Sequence, residues 1–167
     1  MITHERLREL LDYDPETGVF VWRVGRNRFK RAGHLAGGGK YRQIQVGGRE
    51  GTVYYEHRLT WLDCWGFWPE EIDHINGDGT DNRLANLRLA TRSHQAANMG
   101  APRHNTSGYK GVSYDKRLRK WVAQIQIAGE RRHIGVFATA EGAARAYDAV
   151  SLEAHGPYAR TNFKEKN

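Results

Sequence analysis

Apolar residues recur along the chain with periods that change from segment to segment, and these changes predict its elements. Leu7, Leu10 and Leu11 fall at helical spacing behind Thr3, a residue suited to capping, and predict a short helix over 4–12 closed by the turn at 14–18. The runs 19–22, 41–46 and 52–55 are rich in β-branched and aromatic residues and read as strands, the last two joined through Gly47 and Gly48. Leu59, Leu62 and Trp65 predict a helix over 57–65. Beyond Pro69 come a short strand at 72–75, a loop of Gly, Asp and Asn, a second short strand at 87–89, and a helix capped by Thr91 and ended by Gly100. Residues 101–107 have no periodicity and read as a linker. Strands follow around Val112 and Tyr114, over 121–127 and over 134–137, with turns at 116–120 and 128–130. Thr139 then caps a helix in which Ala140, Ala143, Ala144, Tyr147 and Val150 line one face. The expected class is α+β: a small β-rich unit, a strand–loop–strand–helix centre, and a three-stranded antiparallel sheet packed on one helix.

Charge divides the chain in the same way. Of its 167 residues, 1–56 carry 10 cations against 7 acids, 57–100 carry 4 against 6, and 101–167 carry 12 against 6, so a basic frame surrounds a mildly acidic centre. That distribution suits flanks that neutralise phosphates and a middle that holds a cation. The densest run, 23–31, includes Arg26, Arg28, Lys30 and Arg31. It is either a flexible arm tracking DNA phosphates or a solvated loop. The lone cysteine, Cys64, excludes an internal disulfide framework and a multi-cysteine zinc knuckle, and its apolar neighbours place it in a core. The first residues are charged where a secretory segment needs an apolar run. No stretch approaches the ~20 apolar residues of a membrane span. A reducing cytoplasmic setting is expected, that of the host cell if a bacteriophage carries the gene.

The chemistry concentrates between positions 73 and 98, where Asp73, His74, Asn82, Asn86, His94 and Asn98 supply one carboxylate, two imidazoles and several amides. Asp73 and His74 are adjacent, so on a regular strand they face opposite ways. His94 and Asn98 are four apart and share a helical face. A carboxylate with few companions suits a hard cation that keeps water and phosphate oxygens in its other positions. An imidazole with a pKa near ~6.5 can take a proton from water at neutral pH. His57 is placed either to touch phosphate or to make a helix-terminal hydrogen bond. The set points to a metal-dependent phosphodiesterase.

The run from Asp73-His74-Ile75-Asn76-Gly77 through Asp81-Asn82-Arg83-Leu84-Ala85-Asn86 to Thr91-Arg92-Ser93-His94-Gln95, with Glu56-His57-Arg58-Leu59 upstream, resembles the HNH homing endonucleases of phages. The resemblance implies a ββα-metal fold over 57–100, with His74 as general base and Asn86 as the asparagine that supports it. It implies Asp73, His94 and Asn98 as ligands of a divalent metal, Mg²⁺ or alternatively Mn²⁺. His94 stands where phage members often carry asparagine. Farther on, Gly108-Tyr109-Lys110-Gly111-Val112, Lys120-Trp121-Val122-Ala123 and Ala143-Ala144-Arg145-Ala146-Tyr147-Asp148 resemble an AP2/ERF DNA-binding domain spanning 108–164. Here the implied contacts to double-stranded DNA are Lys110, Ser113, Lys116, Trp121, Gln124, Gln126, Arg131 and His133. Several are not the arginines of plant members, so the target sequence differs. Trp121 is open between core packing and DNA contact.

Together these readings describe a site-specific, metal-dependent DNA endonuclease with a β-rich unit at 1–56, a nuclease at 57–100, a linker at 101–107 and a targeting domain at 108–164. A single active site per chain favours nicking; monomer and homodimer both stay open. The competing reading is a DNA-binding regulator whose nuclease motif has become a structural hairpin.

Overall fold

A computed structural model of the chain describes residues 1–163, so the expected end of the last domain at 164 lies outside the described residues. The chain forms two compact units, 1–90 and 91–167. No helix among the described residues is long and apolar enough to cross a membrane.

The first unit opens with α1 (His4–Leu10), whose Thr3 hydroxyl accepts the Arg6 N–H as an N-cap. Next come β1 (Leu11–Asp14) and β2 (Val19–Trp22), an antiparallel hairpin that pairs Leu11 with Trp22 and Asp14 with Val19. The sheet order β3-β4-β5 joins His34–Leu35, Arg42–Val46 and Thr52–Tyr55. α2 (Glu56–Trp65) then packs on α1 and β4, and β6 (Ile72–His74) pairs with β7 (Leu87–Leu89). Leu7, Leu11, Phe20, Ala32 and Ile44 share one core with Leu59 and Leu62 of α2. The expected boundary at 56/57 therefore falls inside a continuous hydrophobic core. A separate trio, Trp61, Ile72 and Leu87, fixes the β6–β7 hairpin to α2.

Three expectations are corrected here, and one left open between two readings is decided. β1 and β3 are additional strands: β1 is too short to separate its alternation from the helical leucines before it, and β3 has only two residues. Cys64 is exposed, on the outer side of α2. The basic run at 23–31 is a folded loop rather than a loose arm, tied to β2 by Phe29 N–H to Trp22 O at 2.7 Å and Trp22 N–H to Lys30 O at 3.0 Å.

The second unit begins with α3 (Arg92–Asn98) and continues with the antiparallel sheet β10-β9-β8, formed by Val112–Asp115, Lys120–Ile127 and Glu130–Phe137. α4 (Ala140–His155) lies against all three strands. Its Ala143 and Ala144 are fully buried with Val112 and Ala123, since methyl side chains let helix and sheet backbones approach closely. At the end of this unit Asp148 accepts from the Asn162 backbone and side chain and from Phe163 N–H, which fastens the described C-terminal segment to α4.

Candidate nuclease site and DNA-facing surface

β6 carries the two adjacent residues of the expected site, and all three of its residues are buried. Asp73 stands opposite Arg88 on β7. Its Oδ2 accepts from Arg88 Nη2 at 2.6 Å and Nε at 2.9 Å, a charge-assisted pair of which both members are largely buried.

His74 sits on the next position, and its ring meets His57 edge-on at 5.1 Å and Tyr41 at 6.0 Å. His57 stacks on Tyr55 at 5.6 Å, and its Nδ1 has no hydrogen-bond partner among the described residues. Burial, with help from the positive charges of His74 and Arg58, pushes its pKa down to about 3 and keeps this imidazole neutral beneath the other.

The asparagines divide the work between the loop and the imidazole. Asn86 clasps the loop: its Oδ1 accepts the Asn76 N–H at 3.0 Å, while its Nδ2 donates to Asp81 O at 2.8 Å and Asn76 Oδ1 at 3.1 Å. Asn82 is the one at the imidazole, with its Oδ1 3.1 Å from His74 Nε2. Only 1% of Asn82 is exposed, and its Nδ2 donates to Glu56 Oε2 at 3.0 Å. Glu56 is fully buried at the start of α2, where Arg42 Nε lies 3.1 and 3.2 Å from its two oxygens. Burial raises the Glu56 pKa, while the charge and hydrogen bonds of Arg42 and the Asn82 amide act against the rise. The side chain of Glu56 has room because position 33 is glycine at φ +79°; a Cβ there would collide with Glu56 Oε1. From the sequence Glu56 enters only as part of the run leading into the motif, with no role given to it, and Arg42 is not singled out. Nothing local marks them, because their partners are distant along the chain.

The remaining expected ligands lie in the second unit. His94 occupies the N3 position of α3, where Thr91 Oγ1 accepts the His94 N–H and His94 Nδ1 accepts the Thr91 N–H, forming a capping box. Its ring stacks on Tyr158 at 3.8 Å. A neutral imidazole whose Nδ1 accepts a hydrogen bond carries its proton on Nε2 and has no lone pair left for a cation. His94 as placed serves as a helix cap. Asn98 is buried at the end of the same helix. Among the described residues no group of three or more His, Cys, Asp or Glu could hold a metal ion. The Asp73 carboxylate is a hard oxygen donor of the kind Mg²⁺ takes with few protein contacts.

The sheet of the second unit separates the residues expected at DNA. Cross-strand partners share a face, so Gln126 with Arg131 and Gln124 with His133 project together, and Ser113 pairs with Val122 on that side. Trp121 pairs with Tyr114 and Phe137 and, partly buried, packs against the core that holds Ala143 and Ala144. Lys110 donates through Nζ to Ala97 O and Ala96 O at the end of α3, and burial lowers its pKa to about 8. Lys116 is exposed in the β8–β9 turn, and Arg26, Arg28, Lys30 and Arg31 are exposed in the first unit. A cleft of about 830 Å³ in the second unit is lined by Gln124, Gln126, Arg131, Arg92 and His155 among others.

Residues 54–97 match the HNH endonuclease family, and residues 107–157 match the AP2 domain. Protein 3.8 of Escherichia phage T7 is 36% identical over 53% of this chain and 73% of its own length. The chain belongs to the HNH endonuclease family and carries an AP2 domain. The HNH–AP2 chain is also similar to the AP2-like ethylene-responsive transcription factor ANT of Arabidopsis thaliana, 29% identical over 88% of this chain but only 27% of the plant protein. A solved chain of the HNH homing endonuclease I-HmuI aligns with a TM-score of 0.44 and 16% identity, covering 87% of this chain and 85% of that one.

Proposed function

We propose that the protein is a site-specific, metal-dependent DNA endonuclease of the homing type that cuts one strand per active site. The observation that carries this reading is the buried His74, held through Nε2 by the Asn82 amide oxygen. That bond puts the imidazole proton on Nε2, so Nδ1 carries the lone pair that accepts a proton from water. The hydroxide so formed attacks the phosphorus, the P–O3′ bond breaks, and the products are a 5′-phosphate and a 3′-hydroxyl.

Asp73 is the proposed metal-binding carboxylate, with His94 and Asn98 as further ligands on the family resemblance; His94 would first have to release its cap bond. A bound Mg²⁺ would supply charge neutralisation at the phosphate and the leaving oxygen. Arg88, paired to Asp73, holds that carboxylate in place. The AP2 sheet and the cations of loop 23–31 provide binding energy on double-stranded DNA, the former through base edges and the latter through phosphates.

In the test, wild type and His74→Ala are incubated with phage or plasmid DNA, with and without Mg²⁺. The expected result is Mg²⁺-dependent nicking that falls by roughly 10²–10⁴ in the variant, the usual contribution of a general base, while DNA binding is retained. Unchanged cutting by His74→Ala would remove the assigned base. The ion pair that occupies Asp73 favours a second reading, a DNA-binding regulator without catalysis. DNA binding by the wild type with no cutting under any divalent metal supports that reading.

A further inference from the structure

The chain Arg42–Glu56–Asn82–His74 does more than fill a buried space. We propose that Glu56, fixed by Arg42, is a positioning residue for the reaction: it determines which way the Asn82 amide faces and therefore which nitrogen of His74 holds the proton. The proposal rests on the reading of His74 as the base.

The reasoning begins with what each group can donate. Asn82 lies between a carboxylate and an imidazole, with Nδ2 3.0 Å from Glu56 Oε2 and Oδ1 3.1 Å from His74 Nε2. An ionised carboxylate accepts hydrogen bonds and donates none, so the amide must turn its NH₂ group to Glu56 and its oxygen to His74. His74 Nε2 is then the donor. With the amide reversed, its NH₂ would face Nε2, the imidazole proton would move to Nδ1, and Nδ1 could no longer accept a proton.

Arg42 makes Glu56 a pure acceptor. Its Nε reaches both carboxylate oxygens and its Nη2 donates to Gly33 O at 3.3 Å, which anchors the guanidinium in the β3–β4 corner. The backbone of Asn82 is held from another side, where Tyr13 Oη donates to Asn82 O at 2.8 Å. β1, β4 and α2 thus converge on one amide. The N-terminal segment, expected from the sequence to contribute at most a DNA contact, supplies the frame that orients the base.

The experiment uses the full chain labelled with ¹⁵N-histidine. The tautomer of His74 is read by NMR without DNA or metal, and single-turnover cleavage and DNA affinity are measured separately. Glu56→Gln offers both donor and acceptor to Asn82, so the amide loses its fixed sense. The expected result is loss of the single Nε2–H tautomer and a cleavage rate lowered about tenfold or more, within the ~10²–10⁴ that a general base contributes, with DNA affinity unchanged. Adding Asn82→Asp to Glu56→Gln places an acceptor-only group against His74 and an amide donor at 56. This double variant should recover the Nε2–H tautomer and most of the lost rate, whereas Asn82→Asp alone sets two carboxylates side by side and should be the poorer enzyme.

Circular dichroism on each variant separates these effects from unfolding. A Glu56→Gln variant with an unchanged tautomer and rate overturns the proposal, as does a double variant no better than its worse parent. If His74→Ala cuts normally, the base assignment fails and the catalytic role of Glu56 falls with it. The tautomer measurement still reports independently whether Glu56 sets the amide.

Discussion

At the scale of the residue, the site depends on pairs of like side chains given different jobs by their surroundings. Asn86 and Asn82 are four positions apart, yet one closes the 76–81 loop and the other holds an imidazole. His74 and His57 touch, yet His57 is kept uncharged by burial, with a pKa lowered to about 3. That depression has a consequence for stability. Between the ordinary histidine value of ~6.5 and the folded value, the unfolded chain binds a proton at position 57 that the folded chain does not. The stabilisation tied to neutral His57 is therefore complete above the ordinary value and is lost as pH falls toward the folded one. Replacing it by His57→Phe keeps an aromatic ring between Tyr41 and Tyr55 and removes the titration. The decline in urea midpoint from pH 7 to pH 4 should be shallower in this variant than in the wild type; parallel declines would count against the assignment.

Among the elements, the β1–β2 hairpin has a turn that packs against the segment carrying Asn82. Gly18 has φ +70°, and a Cβ there would collide with the backbone of Asn82 and Arg83. The turn thus lies directly against the irregular segment that presents the Asn82 amide. Gly18→Ala combines left-handed strain of about 1–3 kcal/mol with a displaced Asn82. Its expected phenotype is a lower melting temperature together with cleavage reduced more than DNA binding. A variant destabilised but equally active at a temperature where it is folded would show that the turn acts on stability alone. Elements with strong local signals were legible beforehand: the Thr3 and Thr139 caps, the alanine face of α4 and the strands at 19–22 and 121–127 all appear in the structure. β1 and β3 were not, because a strand of two to four residues has too few alternations to stand out, and its pairing partner, not its own sequence, makes it a strand.

For the whole molecule, two units carry two kinds of recognition chemistry, and the polar face of the AP2 sheet is the part open to mutation without loss of the core. Gln124, Gln126, Arg131 and His133 project from one side of β9 and β10, opposite the face where Trp121 packs on α4. Gln124→Ala with Arg131→Ala should redistribute cleavage sites on a long DNA while leaving the melting temperature nearly unchanged. Lys116→Ala should instead weaken binding across all sequences and lower the salt dependence by about one counterion. An unaltered cutting pattern in the first variant would argue that the targeting residues lie elsewhere.

The amino-acid sequence by itself determined the local periods, the helix caps and the placement of Asp73 beside His74, since each depends on neighbours within a turn or a strand. It also carried the HNH and AP2 motifs at 54–97 and 107–157. Only the tertiary structure decided which asparagine meets His74, that Asp73 is paired with Arg88, that His94 caps its own helix, and that Glu56 and Arg42 stand behind Asn82. The reason is physical. A buried amide, carboxylate or imidazole takes its orientation from whichever donors and acceptors surround it, and here Asn82 and Glu56 are 26 positions apart in the chain and adjacent only after folding.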